Sequence, residues 1–291
     1  MSPSVNDTIK ALLTQKLVEL EAELNADVIS YTGQIVDGVE THLLKIVEDL
    51  IAHQDKKDTL YVVLTTGGGS ATAVERYVNI LRQHYTEVNF IVPDYAYSAG
   101  TIFCMSGDNI YMDYSSVLGP IDPQVQNKEG RWVAALGYLD KINELIDKAQ
   151  KNTLTNAEFL ILKDFDLAEL KGYEQAKELT ISLLKKWLVN YKFKNWNTHA
   201  TTPGLIGSPV TLEQKERRAE EIADDLSNNT KWKSHGRPIN IETLQTELKL
   251  KIEDYTHDKQ KRDKIRSYYD LLADFNSGGN DKIFVHTRIY I

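Results

Sequence analysis

Apolar residues first recur at three- and four-residue steps: Ile9, Leu12, Leu13, Leu17, Leu20 and Leu24 fall on one face of a helix predicted over residues 7–25. The period then changes. Apolar runs at 27–32, 60–65 and 88–92 have the length of buried strands, and the segments between them, 42–53 and 71–85, return to helical spacing. Strands alternating with helices of this length imply right-handed crossovers and a mostly parallel sheet, with the chemistry at the carboxyl ends of its strands. Two further short strands are expected at 109–112 and 116–118, after which Gly119, Pro120 and Pro123 interrupt regular structure and a long helix runs from about Leu139.

Beyond residue 172 helical spacing dominates, in segments at 174–191, 212–227 and 257–275. Thr-Pro-Gly and Ser-His-Gly-Arg-Pro turns divide them. Residues 282–291 alternate as an exposed strand does and are expected to pair with another subunit. The expected organisation is an N-terminal helix over 1–26, a catalytic core over 27–175, and a helical C-terminal extension with a terminal strand over 176–291.

Composition narrows the function classes. A chain of 291 residues with 42% hydrophobic content can bury a large core. Its net charge of −8, from 42 acidic and 34 basic residues, provides no overall positive field for a phosphate backbone, so nucleic acid is not an expected partner. The single cysteine, Cys104, cannot form an internal disulfide, and the start MSPSVNDTIK lacks the basic flank and apolar run of a secretory signal. No window approaches the roughly 18 uninterrupted apolar residues of a membrane span. The expectation is a cytoplasmic protein with no membrane span.

Two turns carry candidate chemistry. Thr-Thr-Gly-Gly-Gly-Ser at 65–70 follows a strand and opens a helix, so backbone N–H groups can converge on negative charge. A Walker motif needs Lys-Ser/Thr after its last glycine, and a Rossmann fingerprint needs a third glycine where Thr72 stands, so both nucleotide readings fail and no cofactor is expected. The turn alone is equally consistent with tight packing and no ligand. The second turn, Pro-Asp-Tyr-Ala-Tyr-Ser-Ala-Gly at 93–100, links the strand at 88–92 to a helical run at 101–106. It sets Ser98 at a strand-to-helix junction with small neighbours.

Gly68-Gly69-Ser70, with Ala96-Tyr97-Ser98-Ala99-Gly100 some thirty residues later, resembles the two signature turns of the Clp and signal-peptide-peptidase families. The segment 29–37 resembles the first strand and turn of the Clp fold. Within that superfamily the sequence is most similar to the serine dehydrogenase proteinase family. The carriers are Tyr-Ser-Ala-Gly-Thr at 97–101, Val-Leu-Gly-Pro-Ile-Asp-Pro-Gln at 117–124, Pro-Val-Thr at 209–211 and Trp-Lys-Ser-His-Gly-Arg-Pro-Ile at 232–239. The resemblance covers roughly residues 28–255. It implies a Clp/crotonase-like α/β fold of repeated ββα units in a superhelix. It also implies an ATP-independent serine endopeptidase that forms a homo-oligomer, takes unfolded or flexible polypeptide substrates and uses no metal. Two other functions fit the same fold: a crotonase-type acyl-CoA enzyme and an inactive scaffold or binding protein.

The resemblance implies that Ser98 is the nucleophile and that the N–H groups of Gly68 and Ala99 form the oxyanion hole. Clp proteases take their base from a histidine a few tens of residues after the nucleophile, but no histidine lies between His84 and His199. That points to the lysine base of the signal-peptide-peptidase relatives. At an ordinary pKa only about four lysines in ten thousand are neutral at pH 7, so the base must be buried or beside another cation. Among Lys128, Lys141, Lys148, Lys151 and Lys163, the likeness of Lys-Ile-Asn at 141–143 to the lysine-bearing segment of relatives selects Lys141, with Lys128 and Lys148 in reserve. Ser115 and Ser116 either orient the lysine amine or simply finish a strand. His235 either reaches an active site across a subunit interface or is a loop histidine. Asp113 and Asp122 read as turn and cap residues. Tyr95 and Tyr97 line a pocket or belong to the core.

Overall fold

Strands buried on both faces need helices on each side of the sheet, and the chain supplies them in order. The computed structural model describes residues 4–53, 55–127, 129–277 and 283–291. Helix α1 (Val5–Leu24) leads into β1 (Asp27–Thr32), α2 (Glu40–Ala52), β2 (Thr59–Thr65), α3 (Ala71–His84) and β3 (Glu87–Val92). Then come β4 (Tyr95–Ala96), α4 (Ala99–Met105), β5 (Asn109–Met112), β6 (Val117–Leu118) and a hairpin of β7 (Gln124–Gln126) and β8 (Trp132–Ala134). Helices α5 (Ala135–Gln150), α6 (Asn156–Lys163) and α7 (Leu167–Trp187) follow, and α7 runs into a π-helical turn, Leu188–Lys192. The remainder is α8 (Leu212–Leu226), α9 (Asn229–Trp232), α10 (Ile241–Thr246), β9 (Glu253–Asp254), α11 (Lys259–Ser277) and β10 (Phe284–His286).

The main sheet has the order β10-β1-β2-β3-β5-β9, parallel throughout except for β10. Alternation along β1 divides the core. Val28 packs with Leu13, Leu17 and Leu20 of α1 and Ile265, Tyr268 and Leu272 of α11. Ile29 and Tyr31 face the larger cluster that includes Leu43 and Val47 of α2, Val74 and Tyr77 of α3 and Phe103 of α4. Each such side chain contributes roughly 1.5–3 kcal/mol through burial. Each of the first four parallel strands is followed by a short extended segment that bridges to its neighbour: Ile35 to Gly69, Thr66 to Ala96, Ala96 to Leu118, and Leu118 to Ile239. This second ladder is the ββα repeat expected of the fold, and it gathers the two signature turns at one end of the sheet.

The end of the chain differs from the expectation of an exposed, intersubunit strand. Lys282 lies outside the described residues, and β10 pairs antiparallel with β1 of its own sheet, burying Val285 and His286. Arg288 anchors it, reaching Asp27 and Glu21 at 2.8 Å each. The opposite edge, β9, also comes from late in the chain, so the C-terminal region completes the sheet at both edges. Helix α1 lies against α11 and β1. Ser4 and Asp7 close its N-terminus in a capping box. Among the described residues, no helix is long and apolar enough to cross a membrane.

Candidate active site

Ser98 is 4% exposed and holds φ 52° and ψ −115°, a conformation that a side-chain-bearing residue adopts only under constraint. The constraint is visible around it. Tyr97 is held on both sides, its N–H donating to Thr66 O of the preceding turn at 2.9 Å and its carbonyl accepting from Gly100 N of the helix start at 2.8 Å. Ile102 N donates to Ser98 O at 3.1 Å, which starts α4. The Thr101 hydroxyl lies 2.9 Å from both Ala96 O and Gly119 O, tying the start of α4 to the segments on either side. The chain thereby passes from β4 to α4 through Tyr97 and Ser98 alone.

The glycine turn packs directly on this elbow. A Cβ at Gly68 would sit 2.8 Å from Ser98 Cβ, and one at Gly69, where φ is 143°, would sit 1.9 Å from Ile35 O. Only glycine fits either position. The amide directions follow from the hydrogen bonds. Gly68 N donates to Thr66 Oγ1 at 3.0 Å, so the donor expected for the oxyanion hole is already engaged. Gly68 O accepts from Ile35 N at 2.9 Å, and the peptide is trans, so the Gly69 N–H points away from Ile35. Among the described residues neither the Gly69 N–H nor the Ala99 N–H makes a hydrogen bond within the protein. Ser98, Ala99 and Gly69 share a cavity of about 390 Å³ with Ser70, Ile121, Pro123, Leu179 and Thr180.

None of the sequence-nominated lysines that are described lines this cavity. Lys141 stands on the outer face of α5, about half exposed, and donates to Glu144 at 2.9 Å. Within one chain it therefore does not meet the burial requirement. Lys148 bridges Glu144 and Glu158 at 2.9 and 2.7 Å, and those bonds push its pKa up, the reverse of what a base needs. Lys151 and Lys163 are exposed, and Lys128 lies outside the described residues. Among the described residues neither Ser115 nor Ser116 hydrogen-bonds a lysine amine. Ser115 Oγ donates to Asp113 Oδ1 at 2.7 Å and accepts from Arg266 at 2.6 Å, while Ser116 Oγ accepts from Asp113 N at 2.9 Å. Burial opposes ionisation of Asp113, but the bonds from Ser115 and Arg266 outweigh it and hold the carboxyl below its usual range. This cluster braces α11 against β5.

A buried carboxylate, Asp122, lies between two cavity-wall residues, and the charge of His235 acts on it. Leu118 and Ile239 exchange antiparallel backbone bonds at 3.0 and 2.8 Å. Four residues outward in each direction from that bridge stand Asp122 and His235. Asp122 is 5% exposed, and Asp122 Oδ1 accepts from Leu136 N at 3.1 Å, capping α5. Burial pushes its pKa up, against the pull of His235. His235 Nδ1 is buried without a hydrogen-bond partner. Ile121 and Pro123, on either side of Asp122, are cavity walls. The sequence contained this signal in Gly-Pro-Ile-Asp-Pro-Gln and Ser-His-Gly-Arg-Pro, but nothing in it shows that the two segments meet. Tyr95 and Tyr97 stack on each other at 5.5 Å and do not line the cavity.

Residues 42–216 match the family model of ClpP-like SDH-type serine proteinases. The uncharacterized protein MJ0137 of Methanocaldococcus jannaschii is 31% identical over 184 residues, which are 60% of this chain and 55% of that protein. The uncharacterized protein MJ1495 of the same organism is 32% identical over 127 residues, 41% of this chain and 43% of that one. The chain thus spans about half the length of the curated relatives it matches. Among solved structures, a mutant of the 1510-N membrane-bound stomatin-specific protease aligns over 81% of this chain and 82% of its own, at 14% identity and a TM-score of 0.45.

Proposed function

The chain belongs to the ClpP-like SDH-type serine proteinase family, and from that premise we propose that it is an ATP-independent serine endopeptidase acting on unfolded or flexible polypeptides. Ser98 Oγ adds to the scissile carbonyl carbon, and the developing oxyanion accepts hydrogen bonds from the N–H groups of Gly69 and Ala99. The base that took the Ser98 proton returns it to the leaving amine as the C–N bond breaks. Water then attacks the acyl-enzyme by the same route in reverse. The observation that carries this reading is the constrained Ser98 elbow, set in a cavity wall beside two uncommitted amides. Gly69 takes the place first expected of Gly68, because the Gly68 amide is engaged by Thr66.

For the base we favour His235, oriented by Asp122, over Lys141. What supports His235 is a buried, unpartnered Nδ1 and a charge that acts on the buried Asp122. Lys141 is the second candidate and serves only if it leaves Glu144. Self-association is part of the same proposal, supported by α6, where Phe159, Leu160 and Ile161 are each more than half exposed. A cytoplasmic location remains a proposal from the sequence.

The test is labelling by a fluorophosphonate probe across a pH series, mapped by peptide mass, in the wild type and in Ser98→Ala, His235→Ala and Lys141→Ala. The expected result is a label on Ser98 that is lost in Ser98→Ala and greatly slowed in His235→Ala. A folded wild-type protein that takes no label would overturn the peptidase reading in favour of a scaffold or an acyl-CoA site. Slowing in Lys141→Ala alone would restore the lysine base.

A further inference from the structure

At the carboxyl ends of β1, β2 and β3, against α11, lies a cavity of about 460 Å³ that shares no lining residue with the one beside Ser98. Thr32 and Thr65, the last residues of β1 and β2, and Asp94, two residues beyond β3, line one side, and Tyr269 and Leu272 of α11 line another. Gly67 lines this cavity and Gly69 the other, so the glycine turn is the partition between them. The carboxyl ends of parallel strands are where open α/β sheets place ligands, and the volume suits a small molecule.

One carboxylate sets the chemistry. Asp94 is the single charged residue among the described residues of the lining. It is partly buried, and the Tyr269 hydroxyl donates to Asp94 Oδ2 at 3.0 Å. That hydroxyl keeps its proton, because burial, and with it the charge of Asp94, pushes its pKa up. Among the described residues no Lys, Arg or His pairs with Asp94. Its other oxygen, Oδ1, has no hydrogen-bond partner and is not sealed in the interior. Arg266, whose guanidinium lies 5.9 Å from the Tyr269 ring, is held by Asp113 at 3.0 Å and does not line the cavity. Tyr95, next to Asp94 in the chain, does line it, while Tyr97, stacked on Tyr95 at 5.5 Å, does not.

An open carboxylate oxygen between two tyrosines calls for a cation with a flat face. We propose that this cavity is a second ligand site, which takes a guanidinium carried on a short alkyl tail. The guanidinium donates to Asp94 Oδ1 and lies against Tyr95, and the tail runs toward Leu272 and Ala273. A guanidinium suits this place better than an ammonium, because it donates in its own plane while its face covers a ring. The site is separate from the Ser98 chemistry and does not depend on it.

The experiment is a saturation-transfer NMR titration of the full chain with butylguanidinium and with butylurea, a neutral molecule of the same shape. It is run on the wild type and on Asp94→Asn, Ala273→Arg and Asp37→Asn, the last removing the carboxylate that lines the Ser98 cavity. The expected result is saturable binding of butylguanidinium at one site, with butylurea and Asp94→Asn each weaker by at least about tenfold, equivalent to about 1.4 kcal/mol. Ala273→Arg, at an exposed position of the wall, brings its own guanidinium and should abolish binding, whereas Asp37→Asn should leave it unchanged. Circular dichroism checks folding, and Ala273→Arg with the butylurea comparison decides the matter if Asp94→Asn does not fold. Equal binding of butylurea, undiminished binding in folded Asp94→Asn or Ala273→Arg, loss in Asp37→Asn, or no saturable binding up to tens of millimolar would overturn the proposal.

Discussion

Replacing Ser98 by glycine should make the protein more stable than replacing it by alanine, although neither variant carries the nucleophile. Ser98 occupies φ 52° and ψ −115°, where a Cβ is strained. Strain of this kind is worth about 1–3 kcal/mol. Alanine keeps the Cβ and therefore the strain, whereas glycine releases it. Glycine also makes the unfolded chain freer, which costs roughly 0.4–1 kcal/mol. The glycine turn lies so close to Ser98 that even a Cβ on Gly68 would fall 2.8 Å from Ser98 Cβ, so removing the Ser98 Cβ leaves little void. The net expectation is that Ser98→Gly exceeds Ser98→Ala by about 0.5–2 kcal/mol. Urea unfolding followed by circular dichroism measures the difference directly, since equal slopes reduce it to a shift in midpoint. A Ser98→Gly variant that is less stable than Ser98→Ala would show that the elbow is not strained, and would remove the main structural reason for placing a nucleophile there.

Three further outcomes are expected. Arg288→Leu leaves the fully buried Asp27 and the largely buried Glu21 without their cation and should cost about 3–5 kcal/mol of stability in urea, with β10 released first in hydrogen exchange; a loss under 1 kcal/mol contradicts the pairing. His286 is buried against Tyr268 and Thr14, and burial pushes its pKa down to about 4. The unfolded chain therefore binds more protons than the native one between that value and about pH 6.5. The resulting stability is complete above pH 6.5 and falls as pH drops, by roughly 2 kcal/mol from pH 7 to pH 5 on that basis; His286→Gln should flatten this slope, and an unchanged slope refutes the assignment. Gly69→Ala must displace Ile35 O and should lower stability by about 2 kcal/mol or more and abolish labelling of Ser98; normal labelling in that variant would exclude Gly69 from the oxyanion hole.

The central strands were legible because each is a short apolar run bounded by turn residues, so β1, β2, β3 and β5 fall within a residue of where periodicity puts them. The elbow was legible from Ser98 and its small neighbours. What local pattern could not show was how distant segments meet. The alternation near the C-terminus signals a strand but not that Arg288 docks it beside β1. The three consecutive glycines signal a tight turn, but the choice between Gly68 and Gly69 depends on where Thr66 Oγ1 and Ile35 sit in space. Lys141 sits in a helix whose inward face is filled by Leu139, Ile142 and Leu145, so its own position faces solvent. The segments that carry Asp122 and His235, which sequence alone leaves unconnected, meet through the bridge between Leu118 and Ile239.

The most direct measurement is a crystal structure of the wild-type protein after reaction with a small fluorophosphonate. The account predicts phosphorus bonded to Ser98 Oγ, with the phosphoryl oxygen about 2.7–3.1 Å from the N–H groups of both Gly69 and Ala99. A label on any other residue, or a phosphoryl oxygen turned away from those two amides, would contradict it.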